Sequence, residues 1–400
     1  METARLESIC ARISSGGTPS RKRPEYFSPD SDGHLWVKSK ELLDCSIADT
    51  EEQITDAGLQ NSSAKYFPKN SILVAMYGAN VGQLGWLRKP ATVNQAICGL
   101  VVDDKKADWR FVFYSLLKDR GELTVQAQGA AQQNLNQDLI RQFAIPIPPL
   151  PVQRRIAGIL SAYDELIENN QRRIRILEEM ARALYREWFV YFRFSGHEKV
   201  PCVASPLGDV PKGWEVKPFS ALASYVNGYA FKPDDWGAEG KPIVKIKELK
   251  AGITAETPRN PGDGIPAKYN VRDGDVLFSW SADLDTYLWM GGEGLLNQHL
   301  FNVVPFDGLS RAFCFHALKE SMLRFRALSL GATMHHIKRS ALDQVFTLLP
   351  PGELRKRFEV RVEPMHQRLI TLTKQVQNLR RTRDLLLPRL LSGSVVMAPQ

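Results

Sequence analysis

Cysteine is scarce: the five in 400 residues (Cys10, Cys45, Cys98, Cys202 and Cys314) are odd in number, far apart and form no C-x-x-C. This excludes a disulfide scaffold and a zinc knuckle, fits a reducing compartment, and leaves them as small packing residues. Long apolar runs are missing as well. None approaches the roughly 20 residues a membrane-spanning helix needs, and the opening Met1-Glu-Thr-Ala-Arg-Leu-Glu7 lacks the apolar core of a secretory signal, so a cytoplasmic protein is expected. The common catalytic signatures are also absent: no G-x-x-x-x-G-K-[ST], no strand-borne G-x-G-x-x-G, no H-E-x-x-H and no G-x-S-x-G. The seven histidines are scattered except for His335-His336, and adjacent side chains diverge on an extended chain. No catalytic residue and no metal ligand is assigned. One near-motif exists, Pro233-Asp234 followed by Glu239-Gly-Lys241, which has the lettering of a metal-dependent nuclease. It sits in a Gly-rich stretch with no evident hairpin, and a solvated loop is the ordinary reading.

What is present describes a globular protein of two or three domains: 44% hydrophobic, 24% charged, with 28 Gly and 24 Pro. The formal charge of +8 is unevenly spread. Lys and Arg against Asp and Glu number 17 and 17 in residues 1–150, 9 and 7 in 151–200, 16 and 16 in 201–351, and 10 and 4 in 352–400. Overall basicity is therefore a weak argument for DNA, and any phosphate-binding surface must come from local clustering.

Self-similarity is the strongest signal. Lys65-Tyr-Phe-Pro-Lys-Asn-Ser-Ile-Leu-Val aligns with Lys268-Tyr-Asn-Val-Arg-Asp-Gly-Asp-Val-Leu, and Asn94-Gln95 with Asn297-Gln298, at an offset of 203. Phe111-Val-Phe-Tyr-Ser-Leu-Leu aligns with Phe313-Cys-Phe-His-Ala-Leu, Gly129 with Gly331, and Ile147-Pro-Pro with Leu349-Pro-Pro, at 202. Five ordered matches in one register mean a tandem duplication of about 200 residues, each copy a domain plus an appended element. Within each copy, short β-branched and aromatic runs between Gly, Pro, Asn and Asp read as strands of a mixed α/β (α+β) domain, with helices over Trp109 to about Lys118 and Arg311 to about Leu328.

After each Pro-Pro the apolar residues fall on a heptad. The first seam is Ile156, Leu160, Tyr163, Ile167, Asn170, Ile174, Leu177, Ala181, Leu184 and Trp188. Adding 202 gives Phe358, Val362, Met365, Leu369, Leu372, Val376, Leu379, Arg383, Leu386 and Leu390. Nine of ten positions are apolar in each, the exceptions being Asn170 and Arg383. From Pro151 to Phe189 the helix would span about 58 Å. The two seams are expected to pair as an antiparallel coiled coil, with Asn170 helping to fix register. Pro364 is expected to kink the second helix or to make it begin near Met365.

Candidate DNA-contacting residues cluster at corresponding places. In the first copy they are Arg21, Lys22 and Arg23 beside Tyr26 and Phe27, and Gln132, Gln133 and Asn134 after Gly129. In the second, Lys245, Lys247 and Lys250 lie on an alternating run, and His335, His336, Lys338 and Arg339 follow Gly331. Arg and Lys neutralise phosphates or contact guanine, and Gln or Asn can pair with adenine. Two aligned strand-to-turn tips differ in chemistry: Tyr77, Asn80 and Gln83 in one, Trp280, Ser281 and Asp283 in the other.

The arrangement resembles the specificity subunit of type I restriction-modification enzymes. The residues carrying this are the duplication, Gly274-Asp-Val-Leu-Phe-Ser-Trp-Ser with Leu296-Asn-Gln-His-Leu-Phe, Ile145-Pro-Ile-Pro-Pro-Leu-Pro-Val-Gln153-Arg-Arg-Ile-Ala, and the ending Leu385-Leu-Leu-Pro-Arg-Leu-Leu-Ser-Gly393. The resemblance implies a non-catalytic adaptor with target recognition domains at 1–150 and 205–351, separated by spacer helices at 151–192 and 352–393. Each domain would read one half of a bipartite, gapped sequence in double-stranded DNA. The helices would set the gap and recruit two modification (methyltransferase) subunits, and restriction subunits. S-adenosylmethionine, ATP and Mg²⁺ would be held by those partners, with no cofactor bound by this chain. The second helix opens with Pro351-Gly-Glu-Leu-Arg-Lys-Arg-Phe, without the Gln of Leu150-Pro-Val-Gln-Arg-Arg-Ile. The alternatives are a coiled-coil DNA-associated scaffold that reads no bases, and the nuclease suggested by Asp234, Glu239 and Lys241.

Overall fold

Runs that are apolar on both faces become central strands, and the two best examples, Ile72–Ala75 and Val276–Ser279, are buried at every residue. A computed structural model describes residues 2–29, 32–127, 134–328 and 337–393. Its contacts group the chain into two units, Met1–Ile167 with Asn378–Gln400, and Glu168–Gln377. Each unit therefore holds a β-rich domain and one end of each of two long helices.

The first unit has two five-stranded sheets. One runs Cys10–Ser15, Ile97–Val102, Ile72–Ala75, Leu84–Leu87, Cys45–Ile47; the other runs Phe27–Ser28, Gln53–Ile54, His34–Val37, Ala91–Val93, Tyr66–Phe67. The second unit has the same two sheets with one strand fewer in each: Ala223–Asn227, Leu300–Pro305, Val276–Ser279, Asp285–Leu288, and Arg259–Asn260, Lys241–Val244, Gly294–Leu296, Asn270–Val271. The pairing repeats in detail. His34–Val37 lies parallel to Ala91–Val93, as Lys241–Val244 does to Gly294–Leu296. Thr3–Arg5 closes on Ala144–Pro146 antiparallel, as Glu215–Pro218 does on Phe346–Leu349.

Helices cover one sheet in each unit. Trp109–Lys118 is capped by the Asp108 carboxylate, which accepts from the Arg110 and Phe111 amides. Its counterpart, capped by Ser310, is shorter than the sequence suggested: Arg311–Glu320 stops at Ser321, and a second helix, Met322–Ala327, follows. The Ser321 amide is shared between the carbonyls of Ala317 and Leu318, and the break turns Phe325 onto Phe219 and Phe278.

The long helices run Leu150–Phe189 and Gly352–Leu391, 40 residues each. In the first unit Ile156 and Leu160 pack in one core with Leu387, Leu390 and the domain's Phe111 and Phe113. In the second, Tyr185 and Trp188 pack with Phe358, Val362 and Phe313. Residue number rises along one helix as it falls along its neighbour, so the pairing inside each unit is antiparallel. Of the seam positions, Ile156, Leu160, Ile167, Asn170, Ala181, Trp188, Phe358, Val362, Leu369, Leu372, Val376 and Leu390 are buried. Tyr163, Ile174, Leu177, Leu184, Met365, Leu379, Arg383 and Leu386 are half-buried.

Both polar exceptions have partners across the seam: Arg383 Nη1 lies 2.5 Å from Asp164 Oδ1, and Asn170 Nδ2 is 3.5 Å from Gln375 Oε1. The helix expected to begin near Met365 instead runs unbroken through Pro364. Pro364 and Val360, whose carbonyl the proline ring deprives of a donor, both face solvent, where the lost bond is cheap because the carbonyl is open to water. The missing Gln at the second helix entry also has a replacement. Gln153 Nε2 donates to the Pro148 carbonyl at 2.8 Å, and Arg355, 202 positions later, donates through Nε to the Pro350 carbonyl at 3.0 Å.

At another pair of matched positions, Tyr114 Oη donates to Asp164 at 2.5 Å in the first unit, whereas His316 and His366 meet through their Nε2 atoms at 3.2 Å in the second. Burial holds His316 down at about 3, helped by His366 and Lys319, and His366 at about 4, both from an ordinary 6.5. The unfolded chain therefore takes up protons first as pH falls. Stability held above about 6.5 is lost progressively toward about 4 for His366 and about 3 for His316. Urea midpoints of the full chain at pH 7.5 and 5.5 should differ, and H316F/H366L should shrink that difference. An equal pH dependence in the variant would refute the assignment.

Candidate nucleic-acid interface

In each unit the strand that crosses the middle of the first sheet ends in a tip, and two further segments are tied to that tip by named bonds. In the first unit the tip follows Ile72–Ala75 and returns at Leu84, with Gly78 and Gly82 at φ +86° and +79°. The end of the 134–136 segment is fixed to it by the Leu135 amide donating to the Met76 carbonyl at 2.7 Å. The second unit repeats this bond: the Ile337 amide donates to the Trp280 carbonyl at 3.1 Å. Tyr77 and Gln83 are half-buried on the first tip, and Ser281 is buried on the second. Gln132 and Gln133, and likewise His335 and His336, lie outside the described residues. Asn134 is exposed at the border of that segment. Lys338 and Arg339 are exposed directly after Ile337, and Arg339 reaches the ring of Phe301 at 6.0 Å. Trp280 completes this aromatic floor, 5.8 Å from His299 and 5.9 Å from Phe301.

The third segment was not recognised as a repeat from the sequence, although the signal is there. Val37-Lys-Ser-Lys-Glu-Leu42 and Val244-Lys-Ile-Lys-Glu-Leu249 are the same motif at an offset of 207, a register apart from the other matches. Both form a turn in which the glutamate caps the first lysine's amide: Glu41 accepts from Lys38 N–H at 2.7 Å and Glu248 from Lys245 N–H at 3.1 Å. The run holding Lys245, Lys247 and Lys250 is thus a helical turn, Ile246–Ala251, and not the alternating strand expected from its spacing.

Each turn is joined to its tip, by different chemistry at aligned positions. Asn80 Nδ2 donates to the Ser39 carbonyl at 3.1 Å, while Lys250 Nζ lies 2.7 Å from Asp283 Oδ2. The bond from Lys250, against some burial, holds the Asp283 carboxyl below its usual range.

The charges around these turns are partly committed. Lys38 lies 3.0 Å from Glu51 and 2.7 Å from Glu52, and Lys40 2.6 Å from Glu51. Burial lowers Lys38, but the bonds and charges of Glu52 and Glu51 outweigh it and raise its pKa. Arg21 reaches the same Glu52 at 2.7 Å and lies 4.3 Å over Phe27; its bond is the main cause that holds Glu52 low. Arg23 pairs loosely with Glu25 at 3.5 Å, and Lys22 is exposed with no ion pair among the described residues. Lys245 Nζ sits 4.8 Å over Trp236, and Lys247 is 2.9 Å from Glu256. The structure therefore brings the tip, the lysine turn and the loop end together in each unit, with Arg21 joined through Glu52. Lys22 and Arg23 flank that cluster.

The nuclease-like trio shows no such convergence. Asp234 and Glu239 are exposed, and Lys241 is held by Glu293 at 3.3 Å and Asn270 at 3.1 Å. Among the described residues no three His, Cys, Asp or Glu side chains form a metal-binding group, and no helix is long and apolar enough to cross a membrane.

A duplicated α/β scaffold that presents matched loops of unmatched chemistry defines a recognition protein. A family model described as the type I restriction modification DNA specificity domain matches residues 1–179. The specificity subunit of the type I restriction enzyme MjaIX from Methanocaldococcus jannaschii is 25% identical, over 96% of this chain and 91% of that one. The MjaVIII specificity subunit from the same organism is 22% identical, over 94% and 89%. In fold, the chain is similar to the type I restriction-modification S subunit from M. genitalium, with a TM-score of 0.63 at 17% identity over 97% of this chain and 95% of that one. Over nearly its whole length the chain is thus similar to type I restriction enzyme specificity subunits, and its first 179 residues match the family's DNA specificity domain.

K250Q removes the bond between the second tip and its turn. Amide exchange at 281–287 should accelerate roughly two- to fivefold, the range for a partly exposed ion pair, with 276–279 unchanged. Unaltered exchange at the tip would show that the lysine does not hold it.

Proposed function

We propose that this chain confers DNA sequence specificity by reading a bipartite, gapped site, each β-rich domain contacting one half. The observation that supports this most directly is the three-segment platform: its hydrogen-bonded frame repeats, while the side chains it offers differ at aligned positions. A shared frame fixes how bases would be approached, and divergent tips let the two halves differ in sequence. On this reading Asn134, Asn80, Gln83 and Tyr77 serve the first half-site, and Trp280, Ser281, Lys245, Lys247, Lys338 and Arg339 the second. Lys22 and Arg23 contribute phosphate contacts. Gln132, Gln133, His335 and His336 extend the same surfaces.

The helices set the unread gap and dock two methyltransferase subunits, with restriction subunits joining the complex in the cytoplasm. Methyl transfer and ATP-driven cleavage belong to those partners, which hold S-adenosylmethionine, ATP and Mg²⁺. No chemical step falls to this chain.

The test is single-molecule sequencing for N6-methyladenine in cells carrying the chain with its partner methyltransferase, against cells lacking the chain. A gapped motif that depends on the chain is expected, and N80A/Q83A should relax one half of it only, each lost contact costing about 1–3 kcal/mol. An unchanged methylation map, or equal damage to both halves, would contradict the reading.

A further inference from the structure

The duplicated units differ in how they fill the space between their two sheets. In the first, Phe67 is fully buried and its ring lies flat against Gly99, where a Cβ would come within 2.3 Å of it. The Arg12 guanidinium also lies over that ring, 4.4 Å from its centroid. Strand pairing identifies the counterparts: Phe67 sits opposite Ala91 and Val271 opposite Gly294, while Gly99 sits opposite Leu73 and Asn302 opposite Leu277. A ring is thus replaced by a smaller valine, and a glycine by an amide.

A cavity of about 360 Å³ opens there in the second unit, reached by Asn302, Val271, Arg311, Lys268 and Arg272. That is room for roughly ten waters, and within the range of small-ligand sites.

Its polar groups are incompletely satisfied. Asn302 is 7% exposed, and its Oδ1 has no hydrogen-bond partner, nor has the buried Nε of Arg311. Positive charge is in excess. Arg311 is paired with Asp275 at 3.2 Å and Lys241 with Glu293 at 3.3 Å, but Lys268 and Arg272 have no carboxylate within ion-pair distance among the described residues. The strands Lys241–Val244 and Val276–Ser279 begin at this cavity and end at the lysine turn and the tip. The cavity therefore lies about 13 Å from the candidate DNA-reading loops, at the opposite end of those strands.

We propose that this cavity binds a phosphate monoester carried by a small molecule of the nucleoside monophosphate class. The phosphate oxygens accept from Arg272, Lys268 and Arg311, and a ligand N–H or O–H donates to Asn302 Oδ1. Sugar and base occupy the volume that Phe67 fills in the first unit. The site stands independently of the DNA reading.

The experiment is isothermal titration of the full chain with dAMP, inorganic phosphate and adenosine at constant ionic strength. One dAMP per chain is expected, with weaker binding of phosphate and none of adenosine. V271F/N302G, which installs the first unit's filling, should abolish binding. K268Q/R272Q, at exposed positions that leave folding intact, should raise the dAMP Kd about tenfold or more. Binding of phosphate as tightly as dAMP would overturn the nucleotide class. No dAMP binding at millimolar concentration, or binding undiminished in K268Q/R272Q, would overturn the site.

Discussion

The structure depends on neither β-rich domain closing its own core. In the first unit Leu6, Phe111 and Ile145 are covered by Ile156 and Leu160 from one long helix and by Leu387, Leu390 and Leu391 from the other. In the second, Phe313 and Leu342 are covered by Tyr185, Trp188 and Phe189 and by Phe358 and Val362. The helices are therefore parts of the domain cores, and their register is set by side chains that must also fit a sheet. A one-residue slip would remove Phe358 from its place against Tyr185 and Phe189, at 5.8 and 5.0 Å, and draw Arg383 from Asp164. Both losses fall in buried or half-buried surroundings where water compensates poorly.

That constraint explains which parts of the duplication have kept their chemistry. Positions that support the helix junction are conserved in role even when the residue changes: Gln153 and Arg355 both hold the carbonyl of the residue two before the helix, and Tyr114–Asp164 and His316–His366 both tie a domain helix to a long one. At the tips the frame is kept and the presented groups are not. Asn80 and Asp283 each pin a tip to its lysine turn, one through a neutral amide and the other through an ion pair. A binding surface built in this way can change what it offers without disturbing the strands beneath it.

Much of this was legible in the sequence because the signals were long or repeated. The heptad seam places the start of the first helix to within a residue, since more than four heptads of apolar periodicity outweigh any single residue. Pro364 fails to break the second helix for the same reason in reverse: one proline at a solvent-facing position costs a single hydrogen bond, too little against a buried seam. The Arg311 helix broke early because Ser321 and the pull of Phe325 into the core are tertiary effects that no local pattern announces. Bringing Arg21 to Lys38 through Glu52, and the tip to the lysine turn, requires residues 14 to 41 positions apart to meet, and spacing alone carries no such information. The V-K-x-K-E-L repeat is readable in the sequence, but it lies at an offset of 207, out of the 202 and 203 register that the other matches share.

Duplication also relaxes what each copy must do inside. Once two sheets and two helix ends hold a unit together, the space between the sheets can be filled by an aromatic ring, as Phe67 fills it over Gly99, or left open and lined with charge, as around Asn302. The cost of the open form is real, because Asn302 and Arg311 keep buried polar atoms without protein partners. Val244, Val271, Leu277, Trp289, Leu296 and Leu300 form a separate small core beside that gap, so the sheets remain packed without the ring. A unit that can tolerate such a cavity at one end of its strands, while keeping its loops pinned at the other, has two surfaces free to change independently.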